Sequence, residues 1–361
     1  MSEPLWTIDE TAAAGTNLVR FMRHANQSLD ANIDDYEALY RFSIEQPERF
    51  WSMIWDFCGV RGQKGDPPFL ADAEKMPGAR FFPQATLNFA ENLLSQEGGT
   101  PALIFWGEDK VKRTVSWDEL RALVSRFQQV LADLGVGPGD RVAAMMPNMP
   151  ETVVAMLAAA SLGAIWSSCS PDFGVQGVLD RFGQIEPKVF IACDGYYYAG
   201  KTIHVADKLA EISAALTSAE RIVIVPYLGQ AEAVAGGLDR AVSWDDALAA
   251  HEARALVATP LPFSHPLYIL FSSGTTGVPK CIVHSAGGTL LQHLKEQRLH
   301  CDLHDGDRLF YFTTCGWMMW NWLVSGLASG ATLLLYDGSP FHPSGNILFD
   351  FADAEGMTFF G

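Results

Sequence analysis

The sequence predicts an α/β fold of helix-flanked, largely parallel sheets in two subdomains, preceded by a helical N-terminal region. Three observations carry this. Short apolar, β-prone runs recur along the chain, at "RVAAMM", "AIWSS", "KVFIAC", "RIVIVP", "LYILFS", "CIVH", "RLFYFT", "ATLLLY" and "MTFF". Segments of helical periodicity separate most of them, and strands joined through helices run parallel with both sheet faces covered. Hydrophobic residues make up 48% of the 361 and charged residues 19%, which suits an ordered protein with a substantial core. The expected divisions are a helical region over 1–80, a first α/β subdomain over 81–255 and a second over 256–361.

Each element has a local reason. In "SIEQPERFWSMIWDFCG", Ser43 and Gln46 stand at capping-box spacing and Pro47 lies near the helix start. Phe50, Trp51, Ile54, Trp55 and Cys58 form one apolar stripe, read as core packing, and Gly59 stops the helix. "SWDEL" offers a second capping box, Ser116 with Glu119. The helix it opens carries Leu120, Leu123, Val124, Phe127, Val130, Leu131 and Leu134, and Gly135 closes it. "VGPGD" then turns into a strand, and "NMPE" opens the next helix. The apolar stretch Val153 to Trp166 is shorter than the ~18 residues a membrane span needs and reads as a buried helix running into a strand.

Composition excludes whole classes. The net charge is −17, with 42 acids against 25 bases and no basic run, so no nucleic-acid partner is expected. "MSEPLWTIDE" has neither a basic n-region nor an apolar core, so the expectation is a soluble, cytoplasmic protein with no membrane partner. Six cysteines without a CxxC pair read as small buried apolar residues in a reducing compartment. His284, His293, His300, Cys301 and His304 lack the fixed spacing of a zinc site.

The chemistry concentrates in "LFSSGTTGVPKCIVH". Gly274 and Gly277 permit backbone angles closed to other residues and let a ligand approach the main chain. Ser272, Ser273, Thr275 and Thr276 add four hydroxyls, successive N–H groups can form a concave anion nest, and Lys280 supplies a point charge at its edge. That set suits a polyphosphate. A rival stands at Gly195–Thr202, "GYYYAGKT", which fits G-x-x-x-x-G-K-[ST] at every position, after an apparent strand and before an apparent helix, "IHVADKLAEI". Tyr196, Tyr197 and Tyr198 would crowd a phosphate cradle, which speaks against a Walker loop.

"SSGTTGVPK" resembles the phosphate loop of the adenylate-forming superfamily, and "GPGDRVAAMMPNMPETVVAMLAAASLGAIWSSCSPDFG" resembles a segment of short-chain acyl-CoA synthetases. "LNFAENLL", "WSSCSPDFG", "HSAGGTLLQHLKE" and "TTCGWMMWNW" are most similar to the acetoacetyl-CoA synthetases, and the likeness runs from about residue 35 to the end. The resemblance implies a two-step reaction on ATP, Mg2+, acetoacetate and coenzyme A (CoA). The carboxylate attacks the α-phosphate to give an acyl-adenylate and pyrophosphate, and the CoA thiol then attacks the acyl carbon and displaces AMP.

By the same resemblance, Ser272, Ser273, Gly274, Thr275, Thr276, Gly277 and Lys280 bind the ATP phosphates. Trp317, Met318 and Met319 line the acyl pocket, with Asn321 placed to donate to the 3-keto oxygen; Trp320 and Trp322 read as core. Tyr198, Ala199, Gly200 and Lys201 match a CoA-binding stretch in which an arginine stands where this chain has Tyr198, leaving Lys201 as the cation. The chain ends at "AEGMTFFG", before the family's adenine, ribose and Mg2+ segments and its C-terminal domain. The second subdomain is thus expected to be truncated, residues 1–361 alone to be inactive, and no catalytic or metal-binding residue to lie within them.

Overall fold

The computed structural model describes residues 7–29, 32–272 and 277–361. Four helices come first, Glu10–Gly15, Asn17–Leu29, Tyr36–Glu45 and Pro47–Phe57. Phe50, Ile54 and Trp55 are buried as the stripe requires. Trp55 meets Phe82 at 5.2 Å between ring centroids, and Phe82 meets Phe263 at 4.9 Å, which seats the helices on the α/β body. The expected cap at Ser43 does not form. Ser43 lies inside the preceding helix and donates to Tyr40 O; the chain leaves helical angles at Gln46, one residue before Pro47, so Gln46 caps the second helix by position only.

Two large sheets form the body. The seven-stranded sheet has the order Ala241–Ser243, Arg221–Val225, Val189–Cys193, Arg141–Met145, Ile165–Cys169, Pro266–Ser272, Lys280–Ser285. Its neighbours are parallel except the last pair. Val189–Cys193 is buried at all five positions, as expected of a central strand covered on both faces. The five-stranded sheet has the order Phe359–Phe360, Arg308–Phe310, Thr332–Asp337, Pro101–Gly107, Val111–Ser116, also parallel except the last pair. It draws strands from both sides of residue 255, so the sheets do not partition at that point of the chain.

Trp117–Asp133 opens on the predicted capping box. Ser116 Oγ accepts from Glu119 N at 3.2 Å, and Glu119 Oε2 accepts from Ser116 N at 2.8 Å. Helix Pro150–Ser161 is almost wholly buried and turns at Gly163 into Ile165–Cys169. Its one residue not fully buried, Glu151, takes two bonds from Arg113 at 2.6 and 2.7 Å and so ties the helix to the edge of the five-stranded sheet. Among the described residues no helix is long and apolar enough to cross a membrane.

"GYYYAGKT" is a β-hairpin. Gly195–Tyr198 pairs antiparallel with Lys201–His204 across a two-residue turn in which Ala199 and Gly200 have φ of 51° and 75°. Positive φ at both central residues is the geometry that matches strand twist in a tight hairpin. The Walker reading therefore fails, and the expected helix begins only at Ala206. β-prone tyrosines pair with a returning strand where a phosphate loop would need small residues.

Candidate functional site

Strands Pro266–Ser272 and Lys280–Ser285 form an antiparallel hairpin whose register places Ser272 opposite Lys280. The phosphate-loop residues Ser273, Gly274, Thr275 and Thr276 lie outside the described residues. Gly277 has φ of +98°, with open space where a Cβ would stand. Lys280 is exposed and makes no ion pair among the described residues. The base of the loop is tethered by Gln184, on helix Val175–Ile185, whose Nε2 donates to Pro279 O at 2.9 Å. An exposed cation beside a glycine of positive φ can meet a phosphate.

The segment from Cys315 is laced to the carboxyl ends of two central strands. Ser168 Oγ donates to Cys315 O at 2.7 Å, and Cys315 Sγ lies 3.2 Å from Pro147 O. Helix Met318–Ser325 follows, with Trp317 extended at its N-cap. Trp317 is 70% exposed and Met318 43%, while Met319 is half-buried. Trp320 and Trp322 are core, with Trp320 Nε1 bonded to Asn148 Oδ1 at 2.9 Å and Trp322 Nε1 to Glu296 Oε2 at 3.1 Å. Asn321 is buried. Its Nδ2 stands 3.5 Å from Trp317 O and its Oδ1 has no partner among the described residues.

A cavity of about 420 Å³ brings Met318 together with the strand that begins at Lys280. His284, Thr289, Gln292, His293 and Glu296 contribute to its wall. His293 Nδ1 sits 2.7 Å from Ser325 Oγ, and that hydroxyl donates to Asn321 O at 2.9 Å. Burial pushes the His293 imidazole down to about 3 and also lowers His284, so both are neutral at pH 7. Such a wall offers polar contacts without positive charge.

The Tyr198–Lys201 turn lies elsewhere, against Glu108, Ser339 and His342. Tyr198 and Lys201 are exposed there. Of the other histidines in the run that includes His293, His284 packs on Tyr268 at 5.3 Å in the same cavity wall as His293, and His304 lies 3.4 Å from Asp302. Sequence reasoning missed Gln184, Glu108 and the pairing of His293 with Ser325. None has a local motif, because each acts on a segment distant in the chain.

Two sheets with a glycine-rich hairpin at the outgoing end of their strands define an adenylate-forming enzyme fold, and the family models agree. The chain belongs to the AMP-binding enzyme family, whose model matches residues 89–361; the acetyl-coenzyme A synthetase N-terminus model matches residues 36–93. It is 59% identical over 358 residues to acetoacetyl-coenzyme A synthetase of Rhizobium meliloti, covering 99% of this chain and 55% of that protein. To acetoacetyl-CoA synthetase of Danio rerio it is 41% identical, covering 100% of this chain and 54% of the relative. The solved structure of acetoacetyl-CoA synthetase from Streptomyces lividans superposes with a TM-score of 0.94 at 42% identity, covering 100% of this chain and 55% of that one. The chain spans about half the length of the curated relatives it matches.

Proposed function

We propose that the protein serves the ATP-dependent conversion of acetoacetate to acetoacetyl-CoA through an acyl-adenylate. The observation that carries this reading is the polar cavity between Met318 and Val283–Ser285, whose wall holds neutral histidines and Glu296 but no lysine or arginine, in a chain whose acetoacetyl-CoA synthetase relatives cover nearly all of it. Lys280 and the hydroxyl-rich turn before it hold the β- and γ-phosphates of ATP. When bound, Mg2+ neutralises charge on those phosphates. Trp317, Met318 and Met319 wall the acyl group, and the Asn321 amide donates to its 3-keto oxygen. Lys201 and Tyr198 meet CoA. Six free cysteines suit a reducing compartment, and we place the reaction in the cytoplasm.

A site built to bond a polar group rejects analogues lacking it, so acetoacetate should be preferred over acetate and butyrate. The test is kcat/KM for the three acids in the full-length protein and its Asn321→Ala variant. Loss of the preference in the variant is expected; equal selectivity in both proteins removes Asn321 from the account.

A further inference from the structure

Glu108 lies where three segments distant in sequence meet. Its side chain is fully buried, and among the described residues no lysine or arginine pairs with it. The charge is met by main-chain donors instead. Oε1 accepts from Ala199 N at 2.6 Å and Ser339 N at 2.8 Å, and Oε2 accepts from Gly200 N at 2.9 Å. A carboxylate taken out of water is strongly unfavourable unless such bonds replace its hydration.

The carboxylate has little freedom to move. Glu108 itself is left-handed, with φ of 48°, in the turn after strand Pro101–Gly107, and its own N–H donates to Asp337 O at 3.0 Å. A Cβ at Gly338 would lie 2.2 Å from Glu108 Cγ, and one at Gly200 would lie 2.5 Å from the His342 ring. Asp109 and His342 stand close enough to Glu108 to suggest a cation site. Both Glu108 oxygens already accept N–H bonds, however, so the trio reads as a clamp.

Two of the three donors are the central residues of the hairpin turn. Their N–H groups face away from the hairpin ladder and need an acceptor. Because Glu108 satisfies both, the turn offers no N–H nest to an incoming phosphate, only the side chains beside it. Lys201 follows directly, a point charge on a flexible stem whose useful reach depends on where its Cα is held. We propose that Glu108 is a positioning residue for CoA, fixing the Ala199–Gly200 turn so that Lys201 and Tyr198 face the CoA phosphates. This rests on the reading above that the turn meets CoA.

Glu108→Gln keeps the shape but sets an NH2 donor against N–H donors, so at least one charge-assisted bond is lost. In the full-length protein KM for CoA should rise about tenfold, the worth of one such bond. Acetoacetate-dependent pyrophosphate exchange should stay unchanged, and amide hydrogen exchange at Ala199 and Gly200 should quicken. Glu108→Asp should recover part of the CoA affinity, and it decides the matter by the same readouts if the Gln variant does not fold. Lys201→Ala separates the failures. Should it raise KM for CoA while Glu108→Gln does not, the clamp is refuted and the CoA reading stands. If Lys201→Ala has no effect, the CoA reading falls and the inference with it. An equal loss of pyrophosphate exchange and CoA affinity in Glu108→Gln would show general structural damage and overturn a positioning role.

Discussion

Replacing Asp337 with asparagine should make the protein more stable at neutral pH and leave it unchanged in acid. Asp337 ends strand Thr332–Asp337, half-buried as a residue but with its Oδ2 shielded from water. Burial raises its carboxyl from the ordinary 3.8 to about 7; the Tyr227 hydroxyl offsets part of this, and the negative charges of Glu108 and Asp172 add to it. The folded state thus holds a proton that the unfolded chain releases. Where the native state binds more protons, stability falls as pH rises, by at most about 1.4 kcal/mol per unit. The group favours folding below pH 3.8, and that contribution is lost progressively until the pH passes about 7. The full separation corresponds to roughly 4 kcal/mol.

Asparagine has nearly the same shape and no proton to lose. Its advantage over wild type should grow by about 2 kcal/mol between pH 5 and pH 7 and level off about one unit higher. Urea unfolding of both proteins across that range reads the difference directly, since each midpoint shift reports stability when the slope is unchanged. Parallel pH profiles for the two proteins would refute the argument and show that Asp337 is ionised in the fold throughout.

Two further outcomes are expected. In the full-length protein Lys280→Ala should lower acetoacetate-dependent pyrophosphate exchange about tenfold to a thousandfold, the scale of losing one positioned charged donor, while Lys201→Ala leaves it nearly intact; the reverse pattern would assign the phosphates to the wrong loop. Glu151→Ala should cost about 1–3 kcal/mol in chemical unfolding, because it leaves the Arg113 guanidinium without its two-bond partner; an unchanged midpoint would show that this pair does not hold the edge of the five-stranded sheet to its helix.

The strands were legible where burial on both faces forces a continuous apolar run, as at Val189–Cys193 and Thr332–Asp337. Val111–Ser116 went unread, since "VKRTVS" sits on a sheet edge and alternates its exposure, and Pro101–Gly107 went unread although it is apolar and buried. The cap at Ser116 was visible because its chemistry spans three residues. Nothing local announces that Thr332–Asp337 pairs with Pro101–Gly107, because that choice is made by the packing of helices between them. The tyrosines of "GYYYAGKT" weighed correctly against a phosphate cradle, yet their alternative, a hairpin, required seeing that Ala199 adopts positive φ.

The same division between local and distant chemistry explains which parts of the site could be read. A phosphate loop carries its donors, its glycines and its lysine within nine residues, so composition alone exposes it. The proposed acyl wall is different. Met318 marks it in sequence, but the cavity's polar side is shared among residues such as Thr289, Gln292 and His293, the last of which meets Ser325, 32 residues later. The turn proposed to meet CoA is further removed still. Its decisive contacts are main-chain N–H groups of Ala199, Gly200 and Ser339, which every non-proline residue possesses and which leave no mark on the sequence. Only Glu108, 91 residues from Ala199, distinguishes the arrangement, and an acid beside Asp109 and Lys110 in "WGEDK" looks like part of a solvated turn until the fold buries it. Where side chains recognise a ligand, sequence shows the site; where a buried side chain recognises backbone, the fold is needed to show it.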